Sequence, residues 1–340
     1  MKRFYAVIVT LVLGTLMFST GRKEKIDVEQ WPQEPLRVTC PWAVGGVVDV
    51  VNRKLATYGE EVFGYPIIAT NDFIRSGTIS ISDDFLDHLS SMLGDSGNVA
   101  FSNYLKRKGN STDLIIGSEN IFAIAPVMKG SRALPFDYDD FEPVINLCSA
   151  IFVLTTHSDL NITNLLELKL YSKDKVLVVA VGGTTSIEAF MVQMLLDELD
   201  IEYKIIGYNG ANVALDALMN GEVDLAVSHK SQAREWVESG ILSPVVIFDE
   251  EGETDGVYAG VKGVGEYGYT SYSKNRSFLL ARKGTDPAII QKIYEGYCLI
   301  LAKDDVKELY DSLMIEMEPL GRDEIDRHIA NVKKMVKSNL

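Results

Sequence analysis

The tetrapeptide Ala-Val-Gly-Gly occurs twice, at residues 43–46 and 180–183, each time in the same local setting. An apolar run of strand length precedes each copy, Leu36–Cys40 in the first case and Val176–Ala180 in the second. Apolar residues at helical spacing follow each copy: Val47, Val48, Val50, Val51 and Leu55, then Ile187, Phe190, Met191, Met194 and Leu195. A strand, a Gly-Gly turn and a helix start leave backbone N–H groups without intrahelical partners, pointing where an anion can sit. Two such turns predict two similar lobes facing one ligand.

The intervening sequence supports that architecture. Strand-length apolar runs fall at 36–40, 66–69, 113–117, 151–155, 176–181, 203–206, 223–227, 244–248 and 277–281. Helical patterns alternate with several of them, at 47–63, 83–93, 98–107, 163–171, 186–199, 211–220 and 231–239, and helices fill 287–302, 304–314 and 322–337. This alternation predicts an α/β chain whose sheets are mainly parallel and flanked by helices. Asp286-Pro287 has the form of a helix start. The aromatic and acidic stretch Pro135–Pro143 breaks the periodicity and is expected to be the first crossing between lobes. A second crossing is expected near 249–256, which is polar and turn-forming. Lobe 1 is then 34–138 plus 257–340, and lobe 2 is 139–256.

Residues 1–20 have the form of an export signal: Lys2 and Arg3, then a short apolar core from Phe4 to Phe18. Met17-Phe18-Ser19-Thr20 resembles a lipoprotein processing site in which Thr20 stands where a lipidated cysteine would be, so thioether lipidation at that position is ruled out. Residues 21–33 are expected to be a flexible spacer.

The formal charge of −15 argues against nucleic acid and anionic membrane surfaces as partners. It also requires an anionic ligand to be held by local dipoles or a few placed cations. The three cysteines, at 40, 148 and 298, are far apart, and the four histidines show no ligand spacing, so neither a metal nor a cofactor is expected. Gly263-Val264-Gly265-Glu266-Tyr267-Gly268 spells a dinucleotide fingerprint, but no clear strand precedes it and no helical pattern follows.

From Trp31 to about residue 336 the chain resembles the periplasmic solute-binding proteins of tripartite tricarboxylate transporters. The resemblance runs in order through Trp31-Pro32, Pro35–Val38, Pro41–Asp49 with Arg53, and Asp139 with Phe141–Val144. It continues through Tyr208-Asn209-Gly210, Ala214-Leu215, Leu218, Gly221 and Val223–Leu225, then Val264, Glu266, Gly268, Tyr269, Gly284-Thr285 and Pro287. It implies a two-lobed periplasmic-binding-protein-like fold that closes about a hinge on a small carboxylate and delivers it to a two-subunit membrane permease. It further implies that the two Gly-rich loops take the carboxylate through backbone N–H groups and water. Two departures stand out. Val47-Val48 occupy the place of small or hydroxylated residues, and residues 74–96 look like an insertion.

The expected ligand-binding residues are Trp42, Ala43, Val44, Gly45, Gly46, Val47, Val48 and Asp49 from the first loop. From the second they are Gly182, Gly183, Thr184, Thr185 and Ser186. Ser118, in the polar strand end Gly117–Asn120, and Tyr208 and His229, which follow apolar runs in lobe 2, complete the set. One of the three hydroxyls of Thr184, Thr185 and Ser186 is expected to cap the following helix. For Asp49 the expectations are dipole pairing on a solvated face, or contact with a ligand amine or an ordered water. The reading is an exported, monomeric, non-enzymatic receptor. The alternatives are a hydrolase in which Ser186 or Thr185 pairs with His229, and a sensor subunit feeding a membrane kinase.

Overall fold

The computed structural model describes residues 28–42, 44–72, 97–128, 134–184, 186–208 and 210–338. The expected signal, residues 1–20, and the helical pattern at 83–93 within the expected insertion lie outside the described residues. In chain order the strands are β1 (Leu36–Cys40), β2 (Ile67–Asn71), β3 (Asp113–Ser118), β4 (Phe141–Ala150), β5 (Phe152–His157), β6 (Leu177–Val181), β7 (Tyr203–Gly207), β8 (Leu225–His229), β9 (Leu242–Ile247), β10 (Asn275–Arg282) and β11 (Ile315–Glu316). The α-helices are α1 (Val47–Ala56), α2 (Gly59–Phe63), α3 (Asn98–Lys106), α4 (Ala125–Met128), α5 (Leu165–Tyr171), α6 (Ile187–Glu198), α7 (Ala211–Met219), α8 (Lys230–Glu238), α9 (Pro287–Leu301), α10 (Asp304–Ser312) and α11 (Arg322–Ser338).

The strands form two sheets, one per lobe. The first has the order β11-β4-β10-β3-β1-β2, the second β7-β6-β8-β5-β9. Each sheet has a parallel part built by strand–helix–strand crossovers: β2, β1 and β3 in the first, β7, β6 and β8 in the second. The remaining pairings are antiparallel. The sheets are therefore mixed, not mainly parallel. The cause is connectivity, because β4, β5 and β10 adjoin the passages between lobes and do not return through a helix within one lobe.

Those passages differ from the expected ones. β4 belongs to the first sheet and β5 to the second, with only Ile151 between them. Pro135–Pro143 thus leads into a lobe 1 strand and is not a crossing. Pro143 and the buried Asn146 hid β4 from a reading based on alternation, and its register with β10 is irregular beside both residues. The second crossing lies after residue 264, not at 249–256. Gly263 still bridges Ile247 of β9, and the Tyr258 hydroxyl donates to the Lys230 carbonyl at 2.6 Å, which keeps the acidic turn on lobe 2. Asn275, at the end of this second passage, pairs with Ala150, at the start of the first. The hinge is therefore two adjacent antiparallel strands. Lys274, which pairs with Glu316 and Glu318, and Arg276, which pairs with Glu318, brace it against the β11 segment.

The expected spacer is also partly structured. Val28–Gln30 form a 3-10 turn, and Trp31 is buried with its indole N–H donating to Ser111 Oγ at 3.0 Å. A large apolar ring beside a core edge is excluded from water more readily than the polar residues before it. One core cluster, with Leu114, Ile116, Leu279 and Ile293, fills lobe 1. A smaller one, with Ala180, Leu215 and Leu218, lies under α7. The largest includes both Phe278 and Leu280 of the first sheet and Val179 and Val227 of the second.

Candidate functional site

The loops expected to bind ligand all follow the carboxyl ends of strands. β1 and β3 are parallel neighbours, so the 41–46 loop and the 118–120 segment emerge from the same edge of the first sheet. β7, β6 and β8 are likewise parallel, which groups Tyr208, the 182–186 loop and His229 on one edge of the second. Carboxyl ends of strands are where open α/β sheets bind ligands. The two edges are bonded to each other. The Ile187 N–H at the start of α6 donates to Asn120 Oδ1 at 3.0 Å, and Asn275 Nδ2 lies 3.0 Å from His229 Nε2.

The first loop is held from within. Gly45 has φ +86°, a conformation that glycine adopts without steric cost, and its N–H donates to Asp49 Oδ2 at 2.8 Å. Asp49 also accepts from Asn71 Nδ2 at 2.9 Å and Arg53 Nε at 3.0 Å, while the Asn71 amide reaches the Trp42 carbonyl at 3.1 Å. Asp49 is 1% exposed, so the expected solvated face is corrected. Its partners are the loop backbone, Asn71 and Arg53, which leaves the ligand-amine alternative without support. Burial acts to raise its pKa, but the bonds from Arg53, Gly45 and Asn71 outweigh burial and hold it below the ordinary carboxylate range. Val44, Gly45 and Gly46 are exposed, and no side chain caps the start of α1. Val47 and Val48 pack against the lobe 1 core, and Trp42 lies half-buried between that core and the largest cluster. Ala43 lies outside the described residues.

The second loop is arranged differently. Ser186 is the cap: its Oγ accepts the Ala189 N–H at 3.3 Å and donates to the Gly183 carbonyl at 2.8 Å. Thr184 is exposed, Gly182 and Gly183 are half-buried, and Thr185 lies outside the described residues. Gly182 is closely packed, since a Cβ there would meet the Ala211 N at 2.9 Å and Glu188 Oε1 at 3.3 Å. Glu188 is buried in the first turn of α6. Burial raises its pKa to about 7; its own N–H and the Ser186 hydroxyl oppose the shift, and the Glu119 charge adds to it. Glu119 is fully buried. Its Oε2 accepts the Arg276 backbone N–H at 3.1 Å and lies 3.5 Å from His328 Nε2.

Ser118 is buried, with no hydrogen-bond partner for its hydroxyl among the described residues. Two residues on, Asn120 is the side chain that reaches the other lobe. Tyr208 is half-buried against the lobe 2 core. Burial of the His229 ring, 4.5 Å from the Phe152 ring, lowers its pKa to about 4. The hydrolase alternative requires Ser186 or Thr185 to face His229; Ser186 instead binds α6 and Gly183 and His229 meets Asn275, while Thr185 lies outside the described residues. Cys40 and Cys148 are buried, with thiols pushed up to about 12 by burial, whereas Cys298 is only half-buried. Among the described residues no cluster of three or more His, Cys, Asp or Glu is placed to hold a metal ion. Asn71 and Asn275 were not singled out in the sequence. An isolated Asn at a strand end has no distinguishing pattern until its partners are known.

The family model for the tripartite tricarboxylate transporter family receptor matches residues 110–335. The chain belongs to this receptor family. It is 25% identical over 273 residues to a UPF0065 protein of Bordetella pertussis, covering 78% of this chain and 76% of that one. Two solved structures share its fold. MatC from Rhodopseudomonas palustris with bound malate matches at TM-score 0.70 and 21% identity, over 90% of this chain and 100% of that one. Rpa4515 of R. palustris with adipate matches at TM-score 0.71 and 19% identity, over 91% and 96%. The receptor is thus a two-lobed protein of the periplasmic-binding kind. Among the described residues no helix is long and apolar enough to cross a membrane.

Proposed function

We propose that this receptor is exported, captures a small carboxylate between its lobes as a monomer and passes it to the membrane permease subunits of its transporter. The observation that carries the reading is the pairing of two rows of strand ends across one seam, with the uncapped start of α1 among them. The first-turn N–H groups of a helix without a side-chain cap favour an anion through both hydrogen bonding and the helix dipole. The bound malate of MatC and the adipate of Rpa4515 support a carboxylate. Val44, Gly45, Gly46 and the α1 start form the lobe 1 side. Gly183 and Thr184 form the lobe 2 side, with Trp42 and Tyr208 as apolar walls.

Among the described residues, the cations that follow these loops, Arg53 and Lys230, already have partners. Arg53 is paired with Asp49, and Lys230 with Glu253. Neutral donors of the two loops then hold the anion, in keeping with the net negative charge.

The test is a thermal-shift screen of malate, adipate, other di- and tricarboxylates and acidic amino acids, preceded by native mass spectrometry of the protein as purified. A true ligand at a hundred times its Kd adds about 2.7 kcal/mol to stability, which raises the melting midpoint by roughly 5 °C for a chain of this size. Absence of stabilisation by every organic acid would overturn the carboxylate assignment, and chemical conversion of a bound ligand would restore the enzyme alternative.

A further inference from the structure

The start of α6 contrasts with that of α1. The Ala189 N–H is taken by Ser186 Oγ and the Phe190 N–H by the Ser186 carbonyl at 3.2 Å. The Ile187 N–H, which the helix cannot satisfy itself, is taken by Asn120 Oδ1 from lobe 1. The Ile187, Ala189 and Phe190 donors of α6 therefore have acceptors from the protein, and one of those acceptors crosses the seam.

We infer that Asn120 is a closing residue: its amide oxygen fills the place on α6 that a ligand carboxylate oxygen would otherwise take. The lobes then shut without ligand, and the anion is read by the first loop. This deepens the proposed function and rests on it for the ligand's position, though not for closure. Three observations carry it. Ile187 is fully buried, and a buried N–H left without an acceptor costs about 1–3 kcal/mol, so closure needs an acceptor at that point. Asn supplies one without charge. A ligand carboxylate there would enter a water-poor setting that already holds two buried acidic side chains, Glu119 and Glu188, the chain neighbours of Asn120 and Ile187. Asn120 is thus a positioning residue that links lobe closure to the α6 loop.

The experiment compares wild type, Asn120→Ala and Asn120→Gln by small-angle X-ray scattering without ligand, then by calorimetry and stopped-flow kinetics with malate and adipate as probes. Asn120→Ala is expected to enlarge the radius of gyration of the unliganded protein. It should also weaken both probes by a similar factor, about two- to tenfold for one net hydrogen bond, chiefly through faster dissociation. Asn120→Gln keeps a neutral amide acceptor and is expected to restore the compact unliganded form. An unchanged radius in Asn120→Ala, or expansion in both variants, would overturn the closing role. Tighter binding of adipate alone in Asn120→Ala would show that the longer acid competes for α6 and would overturn the placement of the anion. Scattering needs no ligand, so a failure of every acid to bind refutes the proposed function and leaves the closure result to be judged separately.

Discussion

Asp49 illustrates how much of a binding loop can depend on a residue that does not face the ligand. Its carboxylate accepts from the Gly45 N–H, the Asn71 amide and the Arg53 guanidinium, fixing the turn that exposes Val44–Gly46. Asp49→Ala removes all three bonds from donors that water can still reach, at an expected cost of about 1–2 kcal/mol in urea unfolding. Asp49→Asn retains an acceptor for Gly45 and should cost less. Equal stability of wild type and Asp49→Ala would mean that the loop holds its shape without this side chain. Gly45→Ala probes the same turn through its backbone. A Cβ there meets no neighbour, so the cost is that of positive φ alone, about 1 kcal/mol, with the fold kept.

At the scale of elements, the start of α6 and the end of β8 carry opposite titrations. Glu188 has a folded pKa raised to about 7, so its stabilising effect is complete below about pH 4.5 and is lost as pH rises through 7. His229 has a folded pKa lowered to about 4, so its stabilising effect is complete above about pH 6.5 and is lost as pH falls through 4. The two slopes oppose each other between pH 4.5 and 6.5, and wild type should show a nearly flat melting profile there. Glu188→Gln leaves the histidine slope, so its midpoint should climb with pH across that window. His229→Gln leaves the carboxylate slope, so its midpoint should fall. Differential scanning fluorimetry over pH 4–8 checks both signs, and flat profiles in both variants would refute the assignment. Elements of this kind were legible in the sequence where one period dominated, as in β1, β3, β6, α6 and α9. β4 was not, because Pro143 and Asn146 interrupt the alternation and its pairing with β10 is non-local. The helix expected over 47–63 is broken at Thr57-Tyr58 into α1 and α2. The Gly-Gly turns were visible as a repeat, but the different caps of the helices after them depend on Asn71 and Asn120, which reach them only once the chain has folded.

For the whole molecule, the largest core cluster joins the two sheets, with Phe278 and Leu280 from one and Leu154, Val179 and Val227 from the other. Lobes that share a core of this kind cannot each lose their packing alone. Differential scanning calorimetry is expected to give one transition with equal calorimetric and van't Hoff enthalpies, and two resolved peaks would show that the lobes melt independently. The docked Trp31 has a further consequence. It is pinned beside Ser111, which precedes β3, and the chain then enters β1 at Leu36, so its anchorage lies at the amino ends of the lobe 1 strands. Any tether supplied by the residues before Val28 would hold the body by its back, leaving the mouth turned outward to meet solute and the second lobe free to swing.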